Sequence, residues 1–584
     1  MRDAKEKWIL IAILAVAFIF RFQDITSVPP GLYPDEAMNG NNALIALETG
    51  DFKIFYPENN GREGLFINIQ ALFLKVFDSL KGEPRALAEP WVLRSVSATF
   101  GLLTVLGLYL LVRLLFNWQI ASIASFYLAV SFWHVVFSRI GFRAIMVPFL
   151  AVWGFYFLWR GLRDFRFSNF ALSGIFFGLG FHTYIAFRFV PFIVILMLLS
   201  YWWSIHLIKS GKAGARSGEQ FDWVKRDYSH EKYIHLRNEF IRRFALFFLA
   251  AFLVALPILY YFWQNPQDFI GRAADVSVFS AAEPLKESIK SLGLALASFN
   301  FVGDFNWRHN FSGEPMLYWP VGVFFIIGFL KSILKMFKKW LKPVGLAQVG
   351  KEHGHPATLH VLLLSWFFIM LLPSFLTWEG IPHALRSIGV LPAVMIFAAE
   401  GTWWLFETLV HWYREKDIHP HTITRTGPFG LKELFLFGVG VHPLETPYKK
   451  EQEARLITAI TLIILFAAIG IAEYDKYFNK WAVRSEVRDA FSADFVELGK
   501  QINQMPKNQP KYVLVNATGV LVDVLNPFDP TGRTRGIPMP AQTVMFITGT
   551  YTAEKQNEKK VFYILPGEER FIRERNALIL PMTP

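Results

Sequence analysis

The sequence predicts a polytopic α-helical membrane protein. Of its 584 residues, 53% are hydrophobic and 17% aromatic against 18% charged, and the mean hydropathy is +0.32. Apolar runs long enough to cross a bilayer recur along the chain, and such runs set the class. A third observation, the placement of Lys and Arg, orients the runs. The net charge of +12 gathers in loops between them, where it reports topology and attraction to anionic headgroups rather than a nucleic-acid partner. Cysteine is absent, which excludes disulfides and thiolate chemistry.

The first run, "WILIAILAVAFIF", follows a charged start, and "AVA" at 15–17 resembles a signal-peptide cleavage site. The apolar run continues past it, whereas cleavage normally follows the run. An uncleaved first span is therefore expected. Eleven spans follow from the runs near 8–22, 94–115, 119–138, 143–160, 169–183, 188–208, 244–262, 318–335, 358–377, 386–408 and 456–473. An inside N-terminus makes the long basic loops cytoplasmic: 209–243 holds nine Lys/Arg against five Asp/Glu, and 331–352 holds six against one. Segment 23–90 shows the reverse, ten acidic against five basic residues, as the positive-inside rule requires of an outer loop.

Residues 64–78 are apolar but too short to span, which predicts a helix lying in the membrane interface. Beyond the last span, a helix-like stretch precedes "KYVLVN", "TVMFIT" and "KVFYIL", all read as strands of a small α/β domain on the outer face. The expected organisation is a membrane-embedded core at 1–410, a cytoplasmic loop at 411–455, a last span at 456–473 and an extracytoplasmic domain at 474–584. The apolar patch "LKELFLFGVGV" in the inner loop suggests a second in-plane element.

With the sides assigned, six polar stretches fall on the outer face: "YPDEAMNG" (33–40), "NNGREG" (59–64), "SRIGFRA" (138–144), "FHTYIAFR" (181–188), "GDFNWRHN" (303–310) and "GIPHALR" (380–386). Each has an ordinary reading. Asp35 suits a helix N-cap and Glu36 a first helical turn. Arg139 and Arg143 suit snorkelling anchors of a tight hairpin, but arginines in a short outer loop run against the charge bias and need a local reason. Anion binding is one. His182 and Tyr184 read as interfacial aromatics. His309 and His383 lack the spacing of a metal cluster.

Together the stretches supply an acidic pair and the arginines Arg62, Arg143, Arg188, Arg308 and Arg386. Guanidinium groups offer planar, permanently charged donors matched to phosphate. A carboxylate beside such a clamp suits general-base chemistry. A lipid phosphate in the outer leaflet would lie at this depth.

The motifs "PPGLYPDEAMNG", "NNGREGLFINIQALF", "SRIGFRAIMVPF", "RHNFSGEPML" and "PHALRSIGVLPA", in this order and on one side, resemble those of the C-type polyprenyl-phosphate-sugar glycosyltransferases. The chain is most similar to the protein O-mannosyltransferase and aminoarabinose-transferase branch. That resemblance, over roughly residues 8–410, implies inverting transfer of a sugar from a polyprenyl-phosphate donor to a hydroxyl acceptor on protein, lipid or glycan. It implies Asp35 as catalytic base with Glu36 beside it, and Arg62 as a contact of the lipid phosphate. From the outer-face cluster itself, Arg143, Arg188, Arg308 and Arg386 are expected to bind the donor phosphate with it. Glu63, Tyr184, His309 and His383 are expected to contact substrate. Where the aminoarabinose branch has two prolines after its basic residue, this chain has Glu63 and Gly64. No Asp-x-Asp pair occurs in an outer loop, so no metal or other cofactor is expected, a divalent cation being the less favoured alternative. The location implied is a plasma or inner membrane, with membrane lipids as neighbours.

Two other classes fit the sequence less well. A transporter or flippase needs ionisable or helix-breaking residues near mid-membrane, whereas these charges gather at the outer ends. A non-catalytic assembly protein explains the bulk but not the arginine–carboxylate cluster.

Overall fold

A computed structural model describes residues 4–81, 89–209, 223–271, 276–340, 356–415, 447–529 and 531–582. The protein is a polytopic α-helical membrane protein with a small C-terminal sheet. All eleven apolar runs are helical. Among the described residues, eight helices are long and apolar enough to cross a membrane, and a ninth crossing follows if Trp118–Val130 and Phe132–Ser138, bent by 60°, form one span. The two remaining runs are α1 (Ala4–Phe22), whose ends carry charges, and α8 (Phe167–Gly180), which has only 14 residues. The inner-loop patch "LKELFLFGVGV" lies outside the described residues.

Packing is close where small residues meet backbone. The helices Trp319–Trp340 and Leu391–Glu415 cross at Gly328 and Gly401: a Cβ on Gly328 would stand 1.8 Å from the Phe397 carbonyl oxygen, and one on Gly401 2.1 Å from that of Phe324. Without a hydrophobic drive between helices in lipid, such backbone approach supplies the dispersion contact that holds them.

The break between α5 (Trp118–Val130) and α6 (Phe132–Ser138) is tied to charge. It leaves carbonyls without helical partners, and the buried Arg21 donates to those of Leu128 (3.2 Å) and Ala129 (2.9 Å). The freed Phe132 N–H donates to Glu473 at 3.1 Å. Arg139, one residue past α6, donates to the carbonyls of Phe20, Gln23 and Val28. The local reason for this arginine is thus the start of the first loop, and it is not an anion site.

That loop carries α2 (Pro34–Thr49), a two-stranded turn of β1 (Phe55–Tyr56) and β2 (Arg62–Glu63), and α3 (Leu65–Lys81). The last contains the short apolar stretch read from sequence. The α2 helix starts at Tyr33 as N-cap with Pro34 in its first turn, so Asp35 is not the cap. Glu36, three residues into the helix, closes back on that cap by accepting the Tyr33 N–H at 3.3 Å.

The C-terminal region forms a parallel sheet in the order β6–β3–β7, with β3 Lys511–Val515, β6 Val561–Ile564 and β7 Leu578–Met582. A hairpin of β4 (Leu521–Leu525) and β5 (Thr534–Pro538) lies beside it. "KYVLVN" and "KVFYIL" are strands as expected. "TVMFIT" is not: it lies in the helix Ala541–Thr548, preceded by Pro540 and ended by Gly549 in the left-handed conformation. This helix docks onto α2. Asn41 Nδ2 donates to both the backbone and side-chain oxygens of Gln542, and Thr543 Oγ1 donates to the Leu32 carbonyl at 3.0 Å. At Gly40 the fit leaves no room for a side chain, a Cβ there falling 2.4 Å from the Phe546 ring.

Candidate active site

Loops distant in sequence meet at one end of the bundle. Tyr33, Asp35, Asn39, Arg62, Phe142, Arg143, Ala144, Tyr184, Arg308, His309 and Leu385 line a cavity of about 180 Å³. Of the residues expected from sequence, Asp35, Arg62, Arg143, Arg308, Tyr184 and His309 are brought together, while Glu36, Glu63, Arg188, Arg386 and His383 stand behind the lining.

Asp35 is half-buried, and its Oδ1 accepts the Asn59 side-chain N–H at 2.6 Å. Its neighbour Glu36 is fully buried and faces the other way. It meets Arg94 through both oxygens (3.0 and 3.1 Å) and accepts the Gly141 N–H at 2.7 Å. Arg94 also donates to the carbonyls of Pro29 and Gly31. One buried ion pair thus fixes the approach to α2, the start of the helix and the hairpin at Gly141. Glu36 is a strut, and the expectation that placed it with Asp35 in the catalytic pair is not met by its surroundings.

Arg62 is 2% exposed, and Nη1 donates to Asn39 Oδ1 at 2.7 Å, while Asn39 Nδ2 donates to the Gly141 carbonyl. Nε and Nη2 of Arg62 have no hydrogen-bond partner, the nearest carboxylate oxygen, on Glu58, being 3.9 Å away. Burial, reinforced by the charge of Arg143, pushes the Arg62 guanidinium down to about 10, so it remains a cation at neutral pH. Arg308 lies over the Tyr33 ring at 3.9 Å, and its buried Nε also lacks a partner. A buried donor on a charged group without an acceptor costs more than an ordinary missing hydrogen bond, so both groups favour an anion in the cavity.

Arg143 donates from Nε to Glu63 at 2.9 Å and lies over the Tyr184 ring. Glu63 also faces Arg188 at 3.6 Å, and Arg188 stacks against Phe262 and Phe269. Glu63 therefore anchors two arginines from behind and does not open onto the cavity. The departure from the proline pattern at 63 supplies this anchor. Arg386 donates to Thr377 Oγ1 and the Glu379 carbonyl, each at 2.7 Å.

The histidines are not isolated, as the sequence suggested. His309 and His383 stack with ring centroids 5.0 Å apart around Asp304, a residue that sequence reasoning passed over. Burial lowers the His309 pKa in spite of Asp304, so its imidazole is neutral at neutral pH. Also missed were Arg94, Asn39 and Asn59. Asn39 lay within a quoted stretch, but nothing local marked it.

A family model supports the resemblance that the loop motifs carried. Residues 69–214 match the family described as dolichyl-phosphate-mannose-protein mannosyltransferase. No curated protein matches the chain. Among solved structures, the apo oligosaccharyltransferase of Archaeoglobus fulgidus is similar at 14% identity and a TM-score of 0.49, over 94% of this chain and 64% of that protein. This chain thus spans less than two thirds of that relative's length. The apo ArnT of Cupriavidus metallidurans is similar at 12% identity and a TM-score of 0.48, over 96% of this chain and 90% of that one.

Proposed function

We propose that this protein is a glycosyltransferase that moves a sugar from a polyprenyl-phosphate donor to a hydroxyl acceptor, with inversion, at the extracytoplasmic face of a plasma or inner membrane. The observation that carries this reading is the meeting of Asp35 with two incompletely satisfied guanidinium groups, Arg62 and Arg308, in one cavity. The acceptor oxygen attacks the anomeric carbon while Asp35 takes its proton. The bond from that carbon to the phosphate oxygen breaks, and polyprenyl phosphate departs against Arg62, Arg143 and Arg308. Cations fixed in advance where negative charge develops are usually a large part of the rate gain. Arg188 and Arg386 serve as the outer wall of the clamp. On this reading residues 1–410 carry the chemistry, with 411–455 cytoplasmic, 456–473 the last span and 474–584 outside.

The direct test is sugar transfer by the purified chain from a synthetic polyprenyl-phosphate sugar to a hydroxyl acceptor. Absence of transfer from every such donor, by well-folded protein, removes the reading. Arg308→Ala should separate clamp from scaffold, because among the described residues Arg308 has no carboxylate partner to orphan. Loss of one preorganised donor typically costs about a hundredfold to a thousandfold in turnover. An unchanged thermal midpoint should accompany that loss. Parental turnover would take Arg308 out of the clamp. Sidedness is checked separately with reporter fusions after residues 350 and 480, which should report opposite sides. The same side for both defeats the topology.

A further inference from the structure

We propose that Asp304, His309 and His383 form a site for a divalent transition-metal ion of the zinc class, beside the cavity and distinct from the arginine clamp. The three side chains come from two loops, 303–310 and 380–386, and each offers one ligand atom, all within 4.8 Å of one another. His309 Nδ1 lies 3.1 Å from Asp304 Oδ2, and His383 Nδ1 lies 3.8 Å from the same oxygen. The second distance is too long for a hydrogen bond. Both values bracket the edge, about 3.4 Å, of a tetrahedron whose nitrogen and oxygen ligands sit about 2.0–2.2 Å from zinc. An aspartate that merely oriented one imidazole would not need a second ring closing on the same oxygen.

The loops are built to hold that arrangement. Asp304 Oδ1 accepts the Asn306 N–H and Oδ2 the Ala384 N–H, each at 2.8 Å. Asn310 Nδ2 ties the Asp304 and Glu314 carbonyls. Such outer hydrogen bonds orient a ligating carboxylate. Two imidazoles and one carboxylate are a common donor set for zinc, and three protein ligands leave a fourth position for an oxygen. His309 also lines the cavity, which supplies an entry path. Arg308 and Arg386 act electrostatically on His309, and their positive charge favours an anionic oxygen at the fourth position. The ion would tie the two loops together at the rim of the cavity, whether or not sugar transfer is the reaction.

The test uses the full-length chain in detergent, stripped with chelator, equilibrated with zinc chloride, and passed over a sizing column before metal analysis. About one zinc per chain should remain, as for a three-ligand site with an open fourth position. His309→Ala and His383→Ala should each lower the content at least tenfold, whereas His182→Ala should keep it. Asp304→Asn, which preserves size, gives a second route to the same loss if a histidine variant folds poorly. Zinc should raise the thermal midpoint of the parent and of His182→Ala, and leave that of Asp304→Asn unchanged. A parent that emerges without zinc, or parental zinc content in both histidine variants, overturns the proposal.

Discussion

Asp35→Asn should lower sugar transfer by about a hundredfold to ten-thousandfold, the usual cost of losing a general base, while leaving the fold intact. The geometry makes the substitution clean. Asn59 donates to Asp35 Oδ1 at 2.6 Å, and an asparagine oxygen at that position can accept the same bond. The helix start does not depend on Asp35 as a cap, since Tyr33 holds that position. What is lost structurally is one negative charge in the first turn of α2, worth about 0.3–1 kcal/mol against the helix dipole. The rate and the stability therefore separate. The measurement is turnover with a polyprenyl-phosphate sugar beside the thermal midpoint of the same preparation. Near-parental turnover would deny Asp35 the role of base, and neither neighbouring acid stands ready to replace it. Glu36 is held by Arg94, and Glu63 by Arg143 and Arg188.

Arg94→Ala should have the opposite signature, with both stability and turnover falling. The pair with Glu36 is 1% and 0% exposed, and removing one partner leaves a carboxylate buried without compensation. Breaking such pairs typically costs about 3–5 kcal/mol. The carbonyls of Pro29 and Gly31 lose their donor as well, so the approach to α2 loosens and Asp35 drifts from the arginines. A large drop in thermal midpoint should appear first, with transfer lost alongside it. The double variant Glu36→Gln, Arg94→Leu removes both charges and should recover part of the stability but not the turnover. A parental midpoint in Arg94→Ala would show that the strut is unimportant.

The helices were legible because their signal is local: each of eleven apolar runs is helical, and among the described residues eight or nine are long and apolar enough to span. The convergence of the loop motifs was legible too, since alternating spans place every second loop at one end. What escaped were contacts between distant residues whose own surroundings look ordinary. Arg94 stands at the edge of an apolar run, and its partner lies 58 residues earlier. Arg21 and Glu473 interrupt apolar stretches singly and are explained only by the break between α5 and α6, and Arg139 only by the carbonyls of Phe20, Gln23 and Val28. Asp304 gains its meaning from His309 and His383, the latter on another loop. In the C-terminal domain the error was one of weighting. The β-branched and aromatic residues of "TVMFIT" suggested a strand, but Pro540 before it and Gly549 after it are the punctuation of a short helix.

The docking of Ala541–Thr548 on α2 has a consequence for the order in which the protein is made. Asn41 meets Gln542 across 501 residues of chain. A ribosome releases α2 long before its partner helix. Throughout synthesis, the segment bearing Asp35 waits beside the membrane without the neighbour that seats it. A chain that stalls before residue 541 therefore carries Arg62, Arg143 and Arg308, yet lacks the surface against which Gly40 and Asn41 are fitted. The arrangement around Asp35 is completed only once residues 541–548 have been made.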